Sequence, residues 1–191
     1  MRLIHKAGTE TIVNKFLPWP RIVALSSGRD DARVGDLLAR AADYLWLETG
    51  RAPDAATTRA FFEDAPEGCD PAASLKLGQA LEGRLISLAD LAFGFPDARD
   101  AYIGLLLLDP AWRGRGLGAE MVEDLARRAR AQGCARLYAA VLDANAAGRR
   151  FWEREGFRAV LTTEPRRYGD RVHVAHRMER GLGPAESAPK A

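Results

Sequence analysis

Residues 109–119 read Asp109-Pro110-Ala111-Trp112-Arg113-Gly114-Arg115-Gly116-Leu117-Gly118-Ala119, and the fold turns on this stretch. Before it runs Ala101 to Leu108, a continuous apolar segment closed by Asp109-Pro110, the pattern of a central strand covered on both faces. After it, Leu117, Met121, Leu125 and Ala129 recur at helical spacing until Gly133. A buried strand therefore enters a helix through a glycine-rich turn. The first turn of a helix has unpaired N–H groups and a partial positive charge, so it attracts an anion. Gly114, Gly116 and Gly118 let the main chain approach a phosphate without Cβ atoms in the way, and Arg113 and Arg115 add positive charge beside it. So many glycines would destabilise a helix start that held no ligand.

Working outward, Arg136–Leu142 reads as a second buried strand, which makes one βαβ crossover. Asn145 to Glu155 is a short helix stopped by Gly156, and Phe157–Thr163 with Arg171–Met178 form a final strand pair. Upstream, Leu75–Leu81 alternates with period two and turns at Glu82-Gly83 into Arg84–Phe93, a hairpin. Arg21–Ser26 is a short strand. Asp30 caps a helix with Val34, Leu37, Leu38, Ala41 and Leu45 on one face, Gly50 stops it, and a second helix runs from about Asp54 to Asp64. The order β-α-α-β-β-β-α-β-α-β-β predicts one α/β (α+β) domain over residues 21–180, with a mixed, mostly antiparallel sheet and helices on both faces. Residues 1–20, with two prolines around Trp19, form an N-terminal extension able to pack its aromatics on the domain, and residues 181–191 form a C-terminal tail.

Composition excludes several classes. A formal net charge of +2 over 191 residues argues against nucleic acid or an anionic membrane as partner. Arg127, Arg128 and Arg130 read as a solvated helix face. No stretch approaches the ~18 apolar residues of a membrane span, and the N-terminus lacks the apolar run of a secretory signal. Cys69 and Cys134 are far apart and the three histidines do not cluster, so no disulfide framework or metal site is expected and the cytoplasm is the expected setting.

Three phosphate-binding devices compete for the turn. A P-loop needs Gly-Lys-Ser/Thr, which does not occur. A dinucleotide fingerprint matches Gly114, Gly116 and Ala119, but Pro110 to Arg113 intervene after the strand, only one full βα unit follows, and Asp143 comes too late for the ribose-binding acid. The third device agrees best. Arg113-x-x-Gly116-x-Gly118 after an apolar strand resembles the pyrophosphate-binding motif of the GNAT superfamily of N-acetyltransferases. Asn145, the helix through Phe151 and Trp152, and Gly156-Phe157 resemble that family's later motif. The resemblance covers roughly residues 21–180, its N-terminal part by element order alone.

This resemblance implies a sheet splayed between the fourth and fifth strands, with the pantetheine arm of acetyl-CoA in the gap. Carried over, the backbone of Leu106 and Leu108 pairs with that arm, and N–H groups from Arg113 through Gly114, Arg115, Gly116 and Leu117 to Gly118 bind the pyrophosphate. Asn145 contacts the pantetheine region. The implied reaction is direct transfer of an acetyl group to a primary amine in a ternary complex. It needs a base, for which Asp90, Asp100 and Asp109 are the acidic candidates, Asp90 foremost because it sits in an apolar strand. Many members place a Tyr where this chain has Trp152, whose indole cannot protonate a thiolate. Trp152 then packs on the cofactor or in the core, and Tyr138, Tyr102 or water takes the acid role. A non-catalytic acyl-CoA-binding module of the same fold, a dinucleotide-binding oxidoreductase domain, and a partner-binding domain with Leu17, Trp19 and Trp46 at a dimer surface are the other readings. The acceptor is not legible, and a homodimer is compatible with a fold of this size.

Overall fold

The computed structural model describes residues 19–183, so most of the expected extension and tail, Leu17 included, lies outside the described residues. Described strands are β1 (Arg21–Ala24), β2 (Leu75–Leu81), β3 (Arg84–Phe93), β4 (Asp100–Leu108), β5 (Arg136–Leu142), β6 (Arg158–Thr162), β7 (Arg166–Tyr168), β8 (Arg171–His173) and β9 (Ala175–Gly181). Helices are α1 (Asp31–Arg40), α2 (Ala42–Thr49), α3 (Ala55–Glu63), α4 (Leu117–Ala131) and α5 (Ala146–Arg154). The main sheet runs β1-β2-β3-β4-β5-β9-β6, and β7-β8 is a separate hairpin. Among the described residues only β4 and β5 pair in parallel. That excludes the dinucleotide-binding alternative, which needs a series of parallel strands.

Strand alternation sends side chains to two cores. On one face Leu91, Ile103 and Leu137 pack under Met121 and Leu125 of α4 and under Trp152 and Phe157. On the other, Leu85, Leu88 and Leu107 pack under Val34, Leu37 and Leu38 of α1, Leu45 of α2 and Phe61 of α3. Three expectations need correction. The helix expected from Asp30 to Gly50 is two, broken at Ala41, although the apolar stripe continues across the break. Asp30 stands at the N-cap position of α1 as expected, but its carboxylate makes no capping bond and instead accepts from Ser26 N at 3.0 Å and from Arg29 and Arg33. The last strand pair is also more divided than expected. A turn at Gly169-Asp170 folds β7 onto β8 before β9 rejoins the sheet.

The feature that positions the site lies mid-sheet. β4 pairs with β5 only over Asp100–Ile103 and Arg136–Ala139, then runs on to Leu108 paired with β3 but not with β5. The β3–β4 register changes at the same place, from Leu91↔Ile103 to Asp90↔Leu105, leaving Gly104 as an extra residue. Such a bulge bends its strand and increases its twist. The sheet forks as a result. Gly104 and Ala140 are exposed, and Leu105, Leu106 and Leu108 are only half-buried, so the apolar run is not covered on both faces as expected.

Asp109 fastens the end of β4. It is 3% exposed, accepts from Arg40 Nε at 2.7 Å and Ala111 N at 3.0 Å, and lies 3.4 Å from Arg84. Burial pushes its carboxyl up, but these donors together hold it below the usual carboxylate range. Asp109→Ala would leave Arg40 without its buried partner, and urea unfolding should show a loss of about 3–5 kcal/mol. Because the folded pKa is depressed, the wild-type advantage should be full above about pH 4 and shrink as pH falls through the folded value.

A forked cleft as candidate active site

The fork's edge carries free main-chain groups. Asp109 N donates to Ile86 O of β3 at 2.9 Å, so by alternation Leu107 and Leu105 also face β3, while Leu108 and Leu106 face the fork. Leu108 O accordingly accepts from Arg113 Nε at 3.2 Å rather than from the sheet. Beyond β4 a short 3-10 turn at Pro110–Trp112 leads to the glycines. Gly114 and Gly116 have φ of +74° and +85°, left-handed values that disfavour any side chain, and the space where a Cβ would stand is open. Among the described residues no acceptor takes the N–H groups of Gly114 to Ala119. The start of α4 is anchored by buried Gln79, whose Nε2 donates to Leu117 O at 3.2 Å while its Oε1 accepts from Ser87 at 2.8 Å. Together these form an anion-binding helix start held rigidly beside the fork.

Across the sheet, on the α1–α3 face, a cavity of about 660 Å³ opens onto Gly104, Leu105 and Ala140 of the same fork. Its walls carry Asp90, Glu48, Tyr102, Tyr168, Arg166 and Arg177. Asp90 is buried, with Lys76 Nζ 2.9 Å from Oδ1, and a Cβ at Gly104 would fall 2.5 Å from Oδ2. Burial pushes the Asp90 carboxyl up, although Lys76 opposes the shift. Burial also raises Glu48, against a hydrogen bond from the Tyr44 hydroxyl at 3.3 Å. The fork therefore joins a donor-lined groove to a cavity holding two carboxyl groups raised by burial.

The model of the acetyltransferase (GNAT) family matches residues 38–157, well over half of the chain. The chain belongs to the GNAT family. A glucosamine 6-phosphate N-acetyltransferase of Trypanosoma brucei brucei is 39% identical over 54 residues, 28% of this chain and 35% of that relative, so the match spans about a third of the relative's length. Among solved structures, an acetyltransferase from Thermus thermophilus superposes with a TM-score of 0.69 at 24% identity, covering 85% of this chain and 96% of that one. A Salmonella typhimurium structure containing its cofactor acetyl-CoA gives 0.63 at 20% identity, over 90% and 98%. These likenesses concern the fold.

Of the residues expected from the GNAT motifs, the structure places Leu106 and Leu108 on the fork-facing edge of β4, and Gly114, Arg115, Gly116, Leu117 and Gly118 in the turn and first residues of α4 that follow it. Four refinements follow. The Arg113 N–H is occupied by Pro110 O at 3.3 Å, and its guanidinium holds Asp43 of α2 at 2.5 and 2.9 Å, so Arg113 ties α2 to the turn. Gly118 is small for another reason than a phosphate, since a Cβ there would meet the Phe151 ring at 3.1 Å. Asn145 caps α5 by accepting from Gly148 N at 2.9 Å. Arg115 stacks on Trp112 at 4.8 Å.

Other candidates are placed away from the chemistry. Trp152 is 7% exposed and sits in the core between Phe151 and Phe157, the second of the two positions expected for it. Tyr138 lies at the closed end of the fork outside the cavity lining, where its hydroxyl donates to Glu179 at 2.7 Å. Burial and Glu179 push it up to about 12. Tyr102, paired beside it on β4, lines the cavity instead. Asp100 is fully buried against Arg136, and Asp109 is structural. Reading the sequence missed Glu48, Arg166, Tyr168 and Arg177, which the fold gathers from α2, β7 and β9. Gly104→Val should narrow the junction, and we expect kcat to fall at least tenfold with acetyl-CoA affinity changed less, as judged by steady-state kinetics and calorimetric titration.

Proposed function

We propose that this protein is an N-acetyltransferase that moves an acetyl group from acetyl-CoA, held in the fork, to the primary amine of a small acceptor in the cavity. The observation that carries the reading is the exposed floor at Gly104 and Ala140, where the groove and the cavity meet in mid-sheet. The residues present suit the cosubstrate: unpaired N–H groups from Gly114 to Ala119 for a pyrophosphate, and the fork-facing main chain of Leu106 and Leu108 for an amide-bearing arm. When bound, acetyl-CoA supplies an activated thioester whose acetyl group passes to the amine with release of the thiol. A small acceptor fits the cavity size, and the trypanosomal relative is named for an amino-sugar substrate.

The chain's own groups divide the remaining work. Fork-facing main-chain donors stabilise negative charge developing on a carbonyl oxygen. Asp90 accepts the proton the amine must lose, directly or through water, and its raised pKa suits that task. Lys76 holds Asp90 in place. Tyr102, on the cavity wall, replaces Tyr138 as the hydroxyl able to return a proton to the departing thiolate. No helix among the described residues is long and apolar enough to cross a membrane, and Cys69 and Cys134 are free, which suits the cytoplasm where acetyl-CoA is available. Edge strand β6 is exposed along its whole length, with Val160 and Leu161 45% and 46% exposed, and would suit pairing with a second copy. Light scattering should then give a dimer mass, and a monomer would remove that suggestion.

At ~100 times its dissociation constant, acetyl-CoA should add about 2.7 kcal/mol of stability, and CoA a comparable amount, with no rise for NADH. No thermal shift with either CoA species would defeat the cosubstrate assignment. Binding without turnover of any amine would favour the non-catalytic module, to which Trp152 in place of the family's Tyr points. In the active enzyme kcat/KM should rise with pH through an Asp90 pKa above the ordinary ~4. Asp90→Asn should abolish that limb and slow turnover about 100-fold or more.

A further inference from the structure

The charges lining the acceptor cavity are unequally partnered. Asp90 has Lys76, Glu48 takes the Tyr44 hydroxyl, and the exposed Asp64 and Glu67 on the same lining have no cation partner among the described residues. On β9, His176, Glu179 and Arg180 are each within ion-pair distance of Asp143, Arg158 and Glu123 respectively. Arg177 on the same strand is half-buried, yet among the described residues it has no carboxylate; it rests over the Phe95 ring at 5.3 Å. Phe95 in turn meets Tyr102 edge-on at 5.2 Å. Arg177 pairs in register with Ala140, one residue past the last β4–β5 pair, and so stands level with Gly104 across the fork. Arg166 of the β7–β8 hairpin, exposed and likewise without an ionic partner among the described residues, lines the same cavity.

A half-buried cation normally finds an anion. Here the unmatched charge borders the space where the acceptor would sit. We infer, resting on the acetyltransferase reading above, that the acceptor is a compact amine bearing an anionic oxyacid group, carboxylate or phosphate, which Arg177 binds with Arg166 nearer the mouth. Guanidinium forks match both groups bidentately. The amine end then lies on the Asp90 side, and the apolar or sugar body between them packs against Phe61, Phe95 and Tyr102. Two ladder steps of about 4.8 Å each, β3 to β4 and β5 to β9, and the open fork between them separate the main chains of β3 and β9, and the long Arg177 side chain spans part of that distance. This spacing fits a small bifunctional molecule. A polyamine would have to use the exposed Asp64 and Glu67, because Asp90 and the half-buried Glu48 already have partners.

The test is acetyl transfer, followed as thiol release, to phenylalanine against phenylalanine amide, to glucosamine 6-phosphate against glucosamine, and to spermidine. In at least one pair the anionic member should lead by about 10- to 100-fold in kcat/KM, and which pair does so separates carboxylate from phosphate. Arg177→Gln should collapse that ratio, and Arg177→Lys should restore part of it. Both variants should keep the thermal shift with acetyl-CoA, which shows that the fold and the donor groove are intact. Equal or faster use of neutral amines or spermidine, a ratio that survives in Arg177→Gln, or turnover of none of the five probes despite acetyl-CoA binding would overturn the acceptor class. Absence of the acetyl-CoA shift in the wild type would instead overturn the underlying reading, and this inference with it.

Discussion

The structure depends on β4 failing to stay beside β5. A parallel pair of this kind normally zips along its whole length, each residue adding ladder bonds. Here the pairing stops at Ile103 and Ala139 because one extra residue, Gly104, enters β4 opposite Asp90 and bends the strand. The cost is a row of unpaired main-chain groups and half-buried leucines in mid-sheet. Such groups persist only where something else satisfies them. They lie directly before a helix start whose first N–H groups take no acceptor among the described residues, and both features suit an anionic, amide-bearing ligand under the reading proposed above. Glycine at 104 is required by contact: a Cβ there would stand 2.5 Å from Asp90 Oδ2.

The surrounding structure holds this fork rigid. Asp109 ties the far end of β4 to α1 through Arg40, and Arg113 ties the next turn to α2 through Asp43. Gln79 and Ser87 fix the first turn of α4 from the opposite face. Asp43 is held below the ordinary carboxylate range by the Arg113 hydrogen bond, against some opposing burial. Each link joins the end of β4 or the start of α4 to an element that also lines or supports the cavity. The two halves of the site are thus braced by the same side chains, although they lie on opposite faces of the sheet.

What could be read from the sequence followed from local signals. The Glu82-Gly83 hairpin, the strand over Arg136–Leu142 and the glycine turn at 114–118 all carry their chemistry within a few residues, and the structure reproduces them. Gly104 was visible too, but a glycine inside an apolar run marks a bulge only once the partner strand's register is known. Tyr102 and Tyr138 could not be told apart, because they lie side by side in register and only the point at which the strands part decides which of them meets the cavity. The β7–β8 hairpin had a legible signal in Gly169-Asp170 between Tyr168 and Arg171, a two-residue turn of a recognised kind. The break at Ala41 had none, since neither glycine nor proline is near it. It coincides with Arg40 turning to Asp109 and Leu85 O, contacts far apart in sequence.

The acceptor half was illegible for a related reason. Its lining comes from α1, α2, α3, β3, β4, β5, β7 and β9 and the segments between them, so no window of sequence contains more than a fragment of it. The groove that would hold a shared cosubstrate is built mostly from main-chain donors, whose placement needs glycines and register and little else. The cavity is built from side chains on separate elements, each free to change without disturbing the fork. A close motif at residues 113–118 therefore constrains the donor tightly and the acceptor hardly at all. Charge is what remains to distinguish acceptors, and in this cavity Asp90 and Glu48 are partnered, Asp64 and Glu67 are exposed, and the half-buried Arg177 has no carboxylate among the described residues. A half-buried guanidinium at the level of the bulge with the Phe95 ring against it, but no carboxylate among the described residues, is incompletely compensated by the fold. It is readily accounted for if the molecule that enters the cavity carries the compensating charge.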